Sequence, residues 1–315
     1  MVKTTKTLTA EQIDTNNKIV SLIEPRILNG AQTVMTLKAF VDEYKTDSRI
    51  PEKLQAIKVM ARIVRSRQDE FLKKVTINNN RQNPIMPWNL RANDLIQLHL
   101  HFEDKFRNEL GIYYERRENA FENLTYEDLE QIGITDYKAI EIKKFAQTLL
   151  AIQGEVDKMS RISEVFENER YYRDTFKDKY LKVDAKKLIL LYKIQYRLPS
   201  ITREILSRGE NKYYYVTKAR NLLWALLVQG LLNNGEFKTY VEKYGRSLVI
   251  EGDYVEILKS IASKRVRFIF SKTFQKGRYA EYIKNEKYSF LRSRTTYNDC
   301  METARKYYSW KRMDV

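Results

Sequence analysis

The chain has 315 residues, 43% of them hydrophobic, which is enough to bury a sizeable core and to form one to three domains. Only 10 glycines and 5 prolines exclude a turn-dense sandwich or a linker-rich protein, and the single Cys300 excludes an internal disulfide framework and a cysteine-based zinc site. The balance of 57 Lys and Arg against 41 Asp and Glu, a formal charge of +16, points to acidic partners, nucleic acid first among them.

Residues 1–20 read as a polar, flexible lead-in with no apolar signal core, so secretion is not expected and a cytoplasmic location is. KIVSLIEPRIL predicts a strand ending at Leu28. The stretch that follows, Asn29-Gly30-Ala31-Gln32-Thr33, turns directly into a helical pattern with Val34, Leu37, Phe40, Val41 and Tyr44 on one face. KLQAIKVMARIV, Lys53 to Val64, alternates as a second strand, and RQDEFLKKVTIN reads as a helix. Asn and two prolines in NNRQNPIMPWN break that helix. Asn93-Asp94 is expected to cap a helix running to Leu110, with Gly111 as its C-cap, and IYYERRENA reads as a short strand.

From about residue 121 to 250 the pattern is helical, most clearly over Tyr137 to Ile152, Ala185 to Tyr196 and Tyr214 to Leu232. NLLWALLVQGLL, Asn221 to Leu232, is too short to span a membrane and suits a buried core helix. The last zone, about 251–315, also reads as helices and holds most of the charge: from Lys259 onward there are 15 Lys and Arg against 5 Asp and Glu, an excess of ten. Aromatics interleave these cations, which suits phosphates and stacked bases. The candidate contacts are Lys264, Arg265, Arg267, Lys272, Lys276, Arg278, Arg292 and Arg294. The competing reading is a solvated basic face over an ordinary aromatic core.

Two amide-rich turns are the other candidate site. LNGAQT, Leu28 to Thr33, and INNNRQNP, Ile77 to Pro84, are expected at equivalent ends of a strand–helix–strand–helix unit. A turn at a helix start presents backbone N–H groups to an anion. Amide side chains both donate and accept, and a glycine admits a ligand close to the backbone. Asn29, Gly30, Gln32, Thr33, Asn80, Arg81 and Gln82 would line such a cradle for a phosphate or nucleobase; two capped turns are the alternative.

These motifs, with LRANDLIQLHLHFEDKF, GIYYERRENAF and AIEIKKFAQTLLAIQGEVDKMSRISEVF in order, resemble the AIPR family of abortive-infection phage-resistance proteins over roughly residues 22–180. The resemblance implies a role in bacterial defence against phage. A fainter likeness links the Asn29–Thr33 turn to the DGQHR proteins of the ParB-like superfamily, which implies a nucleotide or DNA phosphate as ligand. Asn replaces the acidic first residue of that motif, and Thr33 replaces its closing Arg, the strongest phosphate fork. Only about 25 residues precede the turn, so the chain resembles a truncated or split member, with a partner protein or a missing N-terminal half expected.

Other chemistry is less well supported by spacing. Asp136, Glu141 and Lys143 mimic a D…E-x-K nuclease site, but the segment reads as helix, which points residues 141 and 143 apart. His99 and His101, the only histidines, are i, i+2 on a predicted helix and do not share a face for a metal, and Arg91 stands too far from His99 for a compact Arg-x-His motif. Cys300 reads as structural. The expectation is an α+β, predominantly helical protein: a small ParB-like α/β unit over 21–120, a helical bundle over 121–250 and a basic helical region over 251–315. No catalytic residue and no metal ligand is assigned. NTP with Mg²⁺ is the cofactor if the chain is an NTP-dependent regulator, the alternatives being nucleic-acid binding, a nuclease component or a non-catalytic scaffold.

Overall fold

The structure, a computed structural model, describes residues 2–3, 26–27, 31–43, 54, 57, 63–64, 71, 86–102, 106–207, 211–275 and 277–313. The chain divides into two compact units, 1–85 and 86–315. It is a predominantly helical α+β protein, and among the described residues no helix is long and apolar enough to cross a membrane.

In the first unit β1 (Val2–Lys3) is the central strand of three. β2 (Arg26–Ile27) pairs with it antiparallel, Val2 opposite Ile27. β3 (Ile63–Val64) pairs with it parallel, Val2 opposite Ile63. A reading of residues 1–20 as a lead-in does not anticipate that central strand. β2 and β3 therefore run in opposite directions on either side of β1. The helix Ala31–Glu43 begins where the sequence places it, with Leu37, Phe40 and Val41 half-buried. Leu54 is helical, so the strand expected from Lys53 is confined, among the described residues, to Ile63–Val64. Lys, Leu, Gln and Ala at 53–56 all favour helix.

The second unit is built around the helix Arg220–Leu232. Every residue from Leu222 to Leu232 is buried, as a helix without a polar face must be. Helices Ile142–Gln153 and Leu198–Ser207 and the π-helical turn Ile261–Val266 pack around it. That turn sits inside one continuous helical run between Gly252–Ser260 and Arg267–Phe274. Gly230 permits the close approach: a Cβ there would lie 2.5 Å from Ile261 Cγ2 and 3.1 Å from Trp310.

A two-stranded parallel sheet lies in the same unit, β4 (Tyr113–Glu115) beside β5 (Ala139–Glu141), with Glu115 opposite Glu141. This corrects the helix expected from Tyr137. The helix starts only at Ile142, because residues 139–141 spend their backbone groups on β4. The helix expected over 94–110 likewise divides into Leu95–Phe102 and Arg107–Leu110, with Phe106 fully buried before the second piece.

Polar ties hold the helices in place. Thr125 and Asp128 form a reciprocal capping box, and Asn168, Asp184 and Ser293 cap their helices through side-chain oxygens. Lys193 is fully buried, and its Nζ donates to Tyr244 O (2.5 Å), Val249 O (2.7 Å) and Glu251 Oε2 (3.0 Å). After the helix Arg294–Tyr308 the chain turns at Ser309 and docks as a strap, Trp310–Met313. Asn233 accepts from Lys311 N (2.8 Å) and donates to Lys311 O (2.9 Å). Gln229 does the same for Met313 N (3.0 Å) and O (3.1 Å).

Candidate nucleic-acid interface

The π-helical turn and the C-terminal helix bring part of the basic zone together around a row of rings. Phe268 meets Tyr307 edge to face at 5.2 Å and Tyr308 at 5.7 Å, and Tyr308 continues the row to Trp310 at 6.2 Å. The Tyr308 hydroxyl donates to Lys264 O (3.1 Å), fastening the C-terminal helix to the π-helical turn. Burial pushes the Tyr308 phenol up, opposed by Arg265.

Cations sit on this row. Lys272 Nζ lies 5.5 Å from the Phe268 ring, Lys306 Nζ 5.6 Å from Tyr307 and the Arg265 guanidinium 6.0 Å from Tyr308. Lys264 is exposed beside Arg265. None of Lys264, Arg265, Lys272 and Lys306 forms an ion pair among the described residues. Tyr307 is 48% exposed. Cations without carboxylate partners, flanking an exposed ring, are what a single-stranded polyanion needs: charge for the backbone and a face for a base.

The other predicted cations go elsewhere. Arg278 pairs with Asp299 (3.3 Å) and stacks over Tyr279, and Arg294 pairs with Glu155 (2.7 Å). Arg267 lies over Tyr213 at 5.5 Å, and Arg292 is exposed on a separate 3₁₀ turn, Tyr288–Arg292. Lys276 lies outside the described residues. Lys306 was missed by sequence reasoning. Its signal was the Arg305-Lys306-Tyr307-Tyr308 run at a helix end, two cations followed directly by two rings.

The amide-rich turns can be followed only in part. Asn29, Gly30, Asn80, Arg81 and Gln82 lie outside the described residues, while Gln32 and Thr33 form the first turn of the helix Ala31–Glu43.

The nuclease-like constellation does not assemble. Although Glu141 ends a strand beside Glu115, the Asp136 carboxylate is committed to Leu248 N (2.7 Å) and Ser247 Oγ (3.0 Å), and Lys143 lies over the Trp88 ring at 4.6 Å. Burial raises the Glu115 carboxyl, which accepts from Phe121 N (2.9 Å) and so closes its own loop. Among the described residues no group of three or more His, Cys, Asp or Glu could hold a metal. Arg91 is buried and bound to Phe166 O, Asp94 and Glu169 over the Tyr172 ring, a structural clamp. Cys300 is fully buried, which raises its thiol well above the usual range and keeps it unreactive.

His99 is exposed and His101 half-buried, as their spacing requires. His101 Nδ1 contacts Tyr114 O at 2.8 Å, and since a carbonyl only accepts, Nδ1 carries the proton. Burial lowers the imidazole pKa below 6.5. In the unfolded chain the same group binds a proton more readily, so its contribution to stability is intact above pH about 6.5 and is lost as pH falls from there to the folded value. An NMR titration of the two imidazoles is expected to place one below the ordinary 6.5 and to lose that resonance in His101→Gln. A value for His101 at or above 6.5 would contradict the buried placement.

The family model described as AIPR protein matches residues 7–272 of this chain. No curated protein and no solved structure matches it. The match takes in Lys264, Arg265 and Lys272, and ends before the helix that carries Lys306 and Tyr307.

Proposed function

The chain belongs to the AIPR family, the abortive-infection phage-resistance proteins, and from that membership we propose that it acts in anti-phage defence by engaging single-stranded nucleic acid. The observation that carries this reading is the aromatic row Phe268, Tyr307 and Tyr308, Tyr307 exposed, over which Lys272, Lys306 and Arg265 lie, with Lys264 next to Arg265, four cations with no ion pair among the described residues. The reading assigns no bond-breaking chemistry to the second unit, because Asp136, Glu141 and Lys143 do not converge. NTP binding at the Asn29 turn is a separate proposal, tested by thermal shift with each nucleotide and Mg²⁺ and by Gln32→Ala and Arg81→Ala.

Fluorescence anisotropy of labelled single-stranded RNA, single-stranded DNA and duplex DNA across a salt series tests the interface. Single strands are expected to bind more tightly than duplex. Replacing all four cations by alanine is expected to flatten the log–log salt slope by about 3, roughly 0.7 for each phosphate no longer neutralised. Tyr307→Ala is expected to weaken single-strand binding by about 1–3 kcal/mol with the slope unchanged, because the variant gives up stacking and keeps its charge. No binding at about 50 mM salt would end the nucleic-acid reading.

A further inference from the structure

Trp310 belongs to two assemblies at once. It ends the aromatic row, 6.2 Å from Tyr308. It is also the buried residue of the strap: the indole is 2% exposed, while Lys311, Arg312 and Met313 are exposed. Its seat is Gly230 of the central helix, where a Cβ would meet the indole at 3.1 Å and Ile261 Cγ2 at 2.5 Å. One glycine therefore carries both the strap and the first residue of the π-helical turn.

The interface residues hang from those two elements. Lys264 and Arg265 follow Ile261 on the π-helical turn, and Lys306, Tyr307 and Tyr308 close the helix that leads into the strap. The two sides meet through the rings and through the hydrogen bond from the Tyr308 hydroxyl to Lys264 O (3.1 Å). Tyr307 touches Phe268 edge to face (5.2 Å), so the direction of its exposed face depends on how its helix ends.

That helix end needs support. Ser309 adopts φ +55°, in the left-handed region that glycine enters freely and a serine side chain resists. The same turn lets the Ser309 and Trp310 N–H groups donate to Arg305 O (3.0 Å) and Ala304 O (3.4 Å), closing the last helical carbonyls. What holds the turn is the strap: the indole in its seat, and the amides of Gln229 and Asn233 on the main chain at Met313 and Lys311. A released strap frees Ser309 to return to the right-handed region, and the last helical turn then loses its direction.

We propose that Trp310 is a positioning residue for the nucleic-acid surface: through the docked strap it holds the Tyr307 ring in its stacking pose. The inference rests on the single-strand reading above and adds a control to it. Trp310 itself is buried and does not meet the ligand; it acts through Tyr308 and the helix end.

Fluorescence anisotropy of the full chain with labelled single-stranded DNA tests this, using variants that release the strap and keep every cation and ring of the surface. Asn233→Ala removes both hydrogen bonds to Lys311, and Met313→Pro removes the donor to Gln229 Oε1. The double variant is expected to bind about fivefold or more weakly than the wild type, with the log–log salt slope unchanged because its cations remain. Trp310→Phe, which keeps a ring in the seat, is expected to bind closer to the wild type than Trp310→Ala does. The deciding comparison is Tyr307→Ala made in both backgrounds. If the strap aims that ring, Tyr307→Ala weakens the double variant clearly less than it weakens the wild type. Additive losses, or wild-type affinity in the double variant, overturn the proposal and leave the single-strand reading standing. No binding by the wild type at about 50 mM salt ends that reading and this inference with it. If the double variant loses its far-UV helical signal, Asn233→Ala alone carries the same comparison.

Discussion

Lys193→Met is expected to lower the free energy of unfolding by about 3 kcal/mol, a large fraction of the roughly 5–15 kcal/mol that holds a typical domain together. The ammonium uses all three of its donors, on Tyr244 O, Val249 O and Glu251 Oε2, and it lies 5.3 Å from the Tyr254 ring. A thioether fills the volume but leaves two inward-facing carbonyls without this donor, at about 1–3 kcal/mol each. Glu251 lessens the loss: its side chain is 34% exposed and can turn to water. Removing the cost of burying a cation offsets part of the rest, since burial already lowers the Lys193 pKa. Lys193→Arg is not expected to rescue, because a planar fork cannot meet three acceptors arranged around a tetrahedral ammonium. Urea midpoints measure both variants. An unchanged midpoint for Lys193→Met would mean that the ammonium merely tolerates its position between the helix Ala185–Tyr192 and the 244–251 loop.

Trp310→Ala is expected to cost about 3–5 kcal/mol, the range for truncating a large buried aromatic. Trp310 is 2% exposed and packs against Tyr308 and over Gly230 of the central helix. Its indole Nε1 is buried without a protein partner, which offsets part of the packing energy. Trp310→Phe keeps most of the apolar packing and removes that N–H, so its loss is expected to be clearly smaller. The strap should respond as well as the core. Trp310→Ala is expected to make the Lys311-Arg312 peptide accessible to trypsin at a protein concentration where the wild type resists. Equal cleavage of both proteins would show that the amides of Gln229 and Asn233 hold the strap without the ring.

What could be read from the sequence was whatever depends on neighbours along the chain. Leu222 to Leu232 has Gln229 as its one polar side chain, and a helix without a polar face has no stable place except the interior. Tyr113–Glu115 showed itself by aromatic and β-favouring residues after Gly111. Ala139–Glu141 did not. It is three residues long and runs straight into a helix spaced Ile142, Phe145, Leu149, so that Tyr137 to Ile152 reads as one helical segment.

The candidate surfaces divide in the same way. Cations can be counted in a sequence, but whether a carboxylate cancels them depends on pairings such as Arg294 with Glu155, far apart in the chain. Lys264, Arg265 and Lys272 form no ion pair among the described residues, whereas Arg278 and Arg294 do.

The docked strap has one more consequence. Gln229 and Asn233 are one helical turn apart, an axial step of about 6 Å, and they grip alternate peptide groups of the strap, at Met313 and Lys311, a step of about 6.6 Å in extended chain. The near-equality of these two spacings lets a helix read an extended segment as though it were a neighbouring strand. It reads only the main chain, so the identities of residues 311 and 313 are almost free. Their parity is not. Deleting one residue between Tyr308 and Trp310 would offer the amides the wrong peptide groups or unseat the indole, and a proline at 311 or 313 would remove a donor outright. The segment therefore tolerates rewriting far better than it tolerates a change in length.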